Sequence, residues 1–295
     1  MLDFRTETFL TLCKEMNFTR TSQKLNLTQP AVSQHIKYLE EEYQCQLFIR
    51  HQHKLKLTEA GKMLLASLET MKSDHSFLKK RMQASISQQE EINFGVTMTI
   101  GEYSLLPAIS QFIYHHPNIN FNIRYANTET LLSLLKEGSI QFAIVEGHIH
   151  SDHYHTQIIK SENFIAVASQ HYPFKQPIHQ LADLKKERLI IREPGSGTLA
   201  IFEQLLNMQN LSLEDFPNLI QIENMHAIVE SVRQSCGITF LYQSAVSKDL
   251  EDGSLIKLNL NNIQIRHPFS LIWNKNSIFN EKYQNIFNEL NSYLN

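Results

Sequence analysis

The stretch Asn26-Leu27-Thr28-Gln29-Pro30-Ala31-Val32-Ser33-Gln34-His35-Ile36-Lys37-Tyr38-Leu39-Glu40 decides how the N-terminal part of this chain is read. Asn26-Leu27-Thr28 reads as a tight turn. Thr28 is a good helix cap, and Pro30 fits the first turn, where its missing N–H has no helical partner. Val32, Ile36 and Leu39 then recur at i, i+4 and i+7, so a helix over about residues 29–42 turns that stripe toward a core. The opposite face presents Pro30, Ser33, Gln34 and Lys37, with Gln29 in the first turn. Short and amide side chains followed one turn later by a cation suit a helix that meets base edges with its N-terminal turns and phosphate behind them.

Upstream, Phe9, Cys13 and Met16 share one helical face and predict a first helix over about 3–15. Asn17-Phe18-Thr19 breaks it, and Thr19 is expected to cap a second helix running to Leu25. Downstream, Leu47 to Arg50 and Leu55 to Leu57 alternate around His51-Gln52-His53-Lys54, which predicts a basic hairpin, or wing, suited to sugar-phosphate contact. Residues 1–60 carry eight Lys and Arg against seven Asp and Glu. The acids cluster at Glu40-Glu41-Glu42, which leaves Arg20, Lys24, Lys37, Arg50, Lys54 and Lys56 for a phosphate backbone. A plain three-helix bundle with a polar surface would satisfy the helical periodicity alone.

The register of Phe18-Thr19-Arg20, Leu25, Leu27 to Gln34, Ile36, Leu39-Glu40, Leu47-Phe48, Arg50 and Leu57-Thr58-Glu59-Ala60-Gly61 resembles the N-terminal signature of the LysR-type transcriptional regulators. The resemblance implies a bacterial DNA-binding regulator with Arg20, Thr28, Gln29, Pro30, Ser33, Gln34, Lys37, Arg50 and Lys54 at the DNA. Two departures stand out. Thr21 and Ser22 replace two alanines, both small enough for close helix packing, and Gln44 replaces a glycine, at a cost in strain if that position needs positive φ.

Thr58 is expected to cap a further helix, with Glu59 near the positive end of its dipole. Leu64, Leu68, Met71, His75, Leu78, Met82 and Ser85 alternate by four and three, a heptad seam that predicts pairing with a second chain. The family resemblance implies the same: a linker-helix dimer, assembling to a tetramer on DNA.

From Ile92 the pattern becomes βαβ. Strands are expected at Ile92–Val96, Phe121–Tyr125, Phe142–Val145, Phe164–Ala168, Leu189–Ile191, Leu219–Ile222, Ile238–Leu241 and Phe269–Trp273. Helices are expected from Tyr103 to Phe112, from Glu129 to Lys136 capped by Thr128, around Leu199 to Asn207, from Met225 to Gln234 and from Glu281 to Leu294. The expected fold is an all-α winged helix-turn-helix (1–58), a linker helix (59–89) and a two-lobed α/β effector-binding domain (90–295) similar to periplasmic solute-binding proteins. Lobe I would hold about 90–160 and 266–295, and lobe II about 161–265.

Ligands of open α/β sheets sit at strand carboxyl ends, where helix N-termini converge. Thr97, Thr99 and Ile100 after the first strand, Thr128, and the segment Glu193-Pro194-Gly195-Ser196-Gly197-Thr198 belong there. Gly195 and Gly197 allow backbone donors to approach an anion, and Ser196 and Thr198 add hydroxyls. A small carboxylate, sulfate or phosphate-bearing metabolite suits these donors. Leu199 stands where many similar proteins carry arginine, so a smaller or more apolar ligand is the alternative, with Phe164, Phe240 and Ile100 along one side. Turn and capping duties alone would also explain the glycines and hydroxyls.

The 295 residues, 42% hydrophobic and 19% charged with net charge −3, fit a globular protein and argue against nonspecific coating of nucleic acid. No secretion signal or membrane span is read, and Cys13, Cys45 and Cys236 show no paired or metal-binding spacing, which suits the cytoplasm. His148 to His155 is read as a solvated connection rather than a metal site. No nucleophile is accompanied by a base, and no cofactor motif occurs, so no enzyme and no cofactor are expected. The alternative reading is a solute-binding or catalytic α/β protein whose N-terminal bundle only dimerises.

Overall fold

The computed structural model describes residues 3–52, 54–87, 90–146, 149, 153–260 and 265–294. Three helices, α1 (Phe4–Glu15), α2 (Phe18–Leu25) and α3 (Gln29–Glu42), pack around Phe9, Leu12, Val32, Ile36 and Leu39, all nearly inaccessible. A hairpin of β1 (Phe48–His51) and β2 (Lys54–Leu57) follows, in antiparallel register with Phe48 opposite Leu57. Leu47, just before the hairpin, and Phe48 within it close the same core. Asn17, not Thr19, caps α2: its side chain accepts from the Arg20 N–H at 3.0 Å, and Thr19 lies inside the helix. Met16 turns into the left-handed region (φ 46°) and ends α1, so it leaves the face shared by Phe9 and Cys13.

α3 ends in a Schellman motif. Cys45 N–H donates to Glu40 O and Gln44 N–H to Glu41 O, and Gln44 carries the positive φ of 51° that this closure demands. Thr58 caps α4 (Glu59–Ser87) by accepting from the Gly61 N–H at 2.9 Å. A Cβ on Gly61 would collide with the Leu47 carbonyl oxygen, so only glycine lets α4 start this close to the wing.

The rest of the described chain builds one nine-stranded sheet. One half is parallel, with β3 (Glu90–Val96) between β4 (Ile119–Tyr125) and β5 (Phe142–Glu146). The other is parallel too, with β7 (Leu189–Ile191) between β8 (Leu219–Gln221) and β9 (Ile238–Tyr242). Two long antiparallel strands, β6 (Tyr154–Ser169) and β11 (Ile265–Asn274), join the halves. β5 pairs with β11 over Phe269–Ile272, and β9 pairs with β6 over Phe164–Val167, so the chain crosses between two lobes along this pair. β10 (Leu255–Lys257) pairs with the end of β6.

Helices cover the lobes: α5 (Leu106–His115), α6 (Thr128–Glu137) and α10 (Asn280–Ser292) on the first, α7 (Gly197–Met208), α8 (Met225–Arg233) and α9 (Ser247–Glu251) on the second. The helix expected from Tyr103 is in fact two pieces, a π-helical turn at Ile100–Ser104 and then α5. Pro107, near the start of α5, has no N–H to continue the earlier turn but is tolerated in a new first turn. No helix of the described residues is long and apolar enough to cross a membrane.

Candidate nucleic-acid interface and ligand cleft

On α3 the buried stripe Val32, Ile36 and Leu39 leaves Gln29, Pro30, Ser33, Gln34 and Lys37 exposed together. Thr28 Oγ1 accepts from the Ala31 N–H at 3.3 Å, so its hydroxyl is used as the cap. The helix is held from behind by Thr8, whose Oγ1 lies 2.9 Å from His35 Nδ1, and by Arg5, whose guanidinium stands 3.8 Å over the Tyr38 ring. Lys37 is not free, as its charge pattern suggested: it faces Glu41 at 3.6 Å, although both side chains are highly exposed and such a pair is weak. Lys24 pairs with Glu15 at 2.7 Å. In the wing, Arg50 is opposite Leu55 and His51 opposite Lys54, so strand alternation puts the exposed Arg50 and Lys54 on opposite faces of the hairpin.

The second site lies between the lobes. Glu146 ends β5 at 3% exposure. Its Oε2 accepts from Thr97 Oγ1 (3.2 Å), just after β3, and its Oε1 from Thr198 Oγ1 (2.9 Å), in the first turn of α7. Burial pushes this carboxyl above the ordinary range, and the Thr198 hydroxyl and the charge of Arg192 offset that only in part. Asn127, rather than Thr128, caps α6 by accepting from the Thr130 N–H at 3.0 Å. The Thr128 hydroxyl is thereby released, and it is buried without a hydrogen-bond partner. Ser196 precedes α7 but makes no capping bond, and its Oγ is likewise buried without a partner.

Thr128, Glu146, Ser196, Gly197 and Leu199 all line a cavity of about 490 Å³ between the lobes. The lobes touch there. Glu129 N–H donates to Gly195 O at 3.2 Å, and a Cβ on Gly197 would lie 2.6 Å from Glu146 Cγ and 2.9 Å from Thr128 Oγ1. Glycine at 197 permits that approach.

Comparison with known families follows the same division. The family model described as "Bacterial regulatory helix-turn-helix protein, lysR family" matches residues 5–62, and that described as "LysR substrate binding domain" matches residues 86–294. The chain belongs to the LysR family. It is a LysR-type DNA-binding transcription regulator with an effector-binding domain. It is 28% identical to the transcriptional regulator CysL of Bacillus subtilis over 272 residues, covering 90% of this chain and 89% of that protein. Its fold is similar to a C206 mutant of OxyR from Corynebacterium glutamicum (TM-score 0.59, 22% identity, 98% of this chain and 90% of that one). It is also similar to full-length LysG of the same organism with bound effector Arg (TM-score 0.59, 17% identity, 98% of each chain).

Not every residue expected in this regulator's cleft lies there. Phe164 and Phe240 share a face of β6 and β9, and Phe240 stacks on Phe202 of α7 at 4.4 Å. They line a different cavity, of about 230 Å³, with Lys257 and Arg266. Ile100 is fully buried in the main core, and Thr99 is also fully buried. Glu146 was missed by sequence reasoning, though a signal existed: a carboxylate closes the otherwise apolar run Phe142-Ala143-Ile144-Val145. So was the buried Arg192–Glu193 pair, with Arg192 Nε donating at 2.8 Å and Nη2 at 3.0 Å.

The linker seam divides. Leu68 is buried and Leu64 half-buried against the helix-turn-helix core of their own chain, so these two do not belong to a seam open to a partner. Met71, His75, Leu78 and Met82 are exposed. The last seam position, Ser85, lies outside the residues whose side chains are described, as do His148, His150 and Asp152 of the histidine-rich segment. His155, which is described, packs against Trp273 with ring centroids 4.5 Å apart.

Proposed function

We propose that this regulator reads promoter DNA in the cytoplasm as a homodimer, assembling to a tetramer on DNA, under the control of a small effector in the interlobe cleft. The observation that carries the reading is the α3 face, where Gln29, Pro30, Ser33, Gln34 and Lys37 are all exposed on a helix whose other side is locked into a core. Arg20 on α2 and Arg50 and Lys54 on the wing are exposed cations that suit phosphates. Residues 1–58 form the reader, 59–89 the linker and 90–295 the effector-binding part. The effector acts by population shift: its differential affinity for two lobe arrangements changes dimer geometry and half-site spacing.

Gel shifts with DNA that the wild-type protein selects from a random pool test the reading. Ser33→Ala with Gln34→Ala is expected to abolish discrimination between that DNA and scrambled sequence. Lys37→Ala is expected to weaken every sequence alike and to lower the salt slope by about 1. Full discrimination by the double variant would sink the assignment of the reading face.

A further inference from the structure

Glu146 is a carboxylate at 3% exposure that, among the described residues, forms no ion pair. The nearby charge of Arg192 is already committed, with Nε and Nη2 donating to the Glu193 carboxylate. A buried charge without a partner is costly. The Glu146 oxygens accept from the Thr97 and Thr198 hydroxyls and from the Thr198 N–H, and neither threonine lines the cavity that Glu146 lines. A carboxylate has about four acceptor positions, so one stays open. The Thr128 and Ser196 hydroxyls line the same cavity at 8% and 2% exposure, both without a hydrogen-bond partner. Thr128 Oγ1 and Glu146 Cγ converge on Gly197, beside Ser196: a Cβ there would stand 2.9 and 2.6 Å from them.

The cavity is acidic. Glu129 and Glu203 line its exposed rim, and among the described residues that line it there is no lysine or arginine, His267 being the one imidazole. Backbone donors at the two helix starts, which would favour an anion, are engaged within the protein. Glu129 N–H donates to Gly195 O, Thr130 N–H to Asn127 Oδ1, and Thr198 N–H to Glu146 itself. Leu132, Ile191, Leu199, Ile201 and Leu213 make an apolar part of the wall.

We propose that the cleft takes a ligand with a primary ammonium group on an apolar body, the ammonium pairing with Glu146 and donating to Thr128 Oγ1 and Ser196 Oγ. The proposal rests on the reading of the cleft as the effector site. A primary ammonium has three N–H donors and no acceptor, which matches one carboxylate and two hydroxyl oxygens. The apolar wall suits an aliphatic body, whereas a carboxylate head group would face three like charges. Binding is also tied to shape. Thr128 and Glu146 belong to the first lobe and Ser196 to the start of α7 in the second, so the ammonium bridges the lobes and favours the arrangement in which these three groups meet.

The test is calorimetric titration of the full chain with n-pentylammonium chloride, against sodium pentanoate and n-pentanol, which keep an apolar body and change the head group. Pentylammonium is expected to bind at least about tenfold tighter than either, and E146Q is expected to remove that preference. T128V and S196A keep the carboxylate and each remove one hydroxyl acceptor, so each is expected to weaken pentylammonium several-fold. Unchanged affinity in both overturns the proposal, and this pair decides the matter if circular dichroism shows E146Q unfolded. Pentanoate binding as tightly as pentylammonium overturns it, as does a pentylammonium preference that folded E146Q retains, or the absence of pentylammonium binding. Failure of the cleft reading gives a different pattern. If pentanoate or pentanol binds instead and T128V and S196A weaken it, the cleft reading stands and the cationic ligand falls. If pentylammonium binds and none of the three substitutions changes its affinity, the ligand sits outside the cleft and both readings fall.

Discussion

Gln44 is a residue whose cost is visible in its backbone. An L-residue in the left-handed region loses about 1–2 kcal/mol, and Gln44 sits there at φ 51° because the α3 Schellman closure requires it. Gln44→Gly relieves that strain but gives the unfolded chain back about 0.4–1 kcal/mol of entropy. The expected net result is a gain of up to about 1 kcal/mol, read as a higher urea midpoint at unchanged slope; a lower midpoint would show that the Gln44 side chain stabilises the fold by some other contact. Glu146 carries a second cost. Burial raises its carboxyl above the ordinary value of 4.5, so over the window that opens there the folded chain keeps a proton the unfolded chain has released. Stability therefore falls as pH rises through that window. In Glu146→Gln this fall is expected to shrink and stability at pH 7 to increase, measured by denaturant midpoints between pH 5 and 8; an unchanged pH profile would mean the charge is compensated in the fold.

At the scale of elements, legibility depended on whether one physical signal acted alone. The α3 face was legible because the i, i+4, i+7 stripe and the Thr28 cap point the same way. Caps were misread where two candidates stood close together: Asn17 and Asn127 took the ends that Thr19 and Thr128 were expected to hold. Asparagine is at least as good a cap, and the choice depends on how the preceding chain enters the helix. β6 was read only over Phe164–Ala168, because its first half alternates exposed and half-buried residues and is a strand only through pairing with β11. The linker helix was legible as α4, but periodicity cannot say which turns meet a partner and which meet the same chain.

Of the hydroxyls expected in the cleft, Thr128 and Ser196 line the cavity while Thr97, Thr99 and Thr198 do not, and Glu146 was not legible, since a carboxylate ending a strand usually meets water. The linker also carries a contact no pattern announced. Asp74, 8% exposed, accepts from Ser277 Oγ at 2.6 Å and from Ile278 N–H at 2.9 Å, tying α4 to the segment before α10. Asp74→Ala strands two donors and is expected to cost about 1–3 kcal/mol. Hydrogen exchange at Ile278 is the sensitive measure; protection equal to wild type would show that Phe77 against Phe279 suffices to hold the helix.

For the whole molecule, the division of α4 decides how a dimer forms. Its first turns are committed to the reader through Leu64 and Leu68, and its middle to the first lobe through Ser73, Asp74 and Phe77. Among the described residues, Met71 at 57% exposure and Leu78 at 42%, with His75 between them, form an exposed stripe on the same helix that suits a second copy. A partner helix on this stripe would move reader and lobe together, because both are fixed to the same rod. Leu78→Glu places one charge from each chain in such an interface, where burial without a partner is costly. Each leucine lost from the interface removes about 1.5–3 kcal/mol, so with two per dimer the association weakens by on the order of a hundredfold or more. In the single chain Leu78 is already part-exposed, so the fold is expected to persist. Sedimentation of the variant at micromolar concentration is expected to shift toward monomer. Affinity for paired half-sites is expected to fall far more than affinity for one half-site, since only the pair needs both readers held at a fixed spacing. A variant that sediments like wild type would place the dimer contact on another face of the molecule.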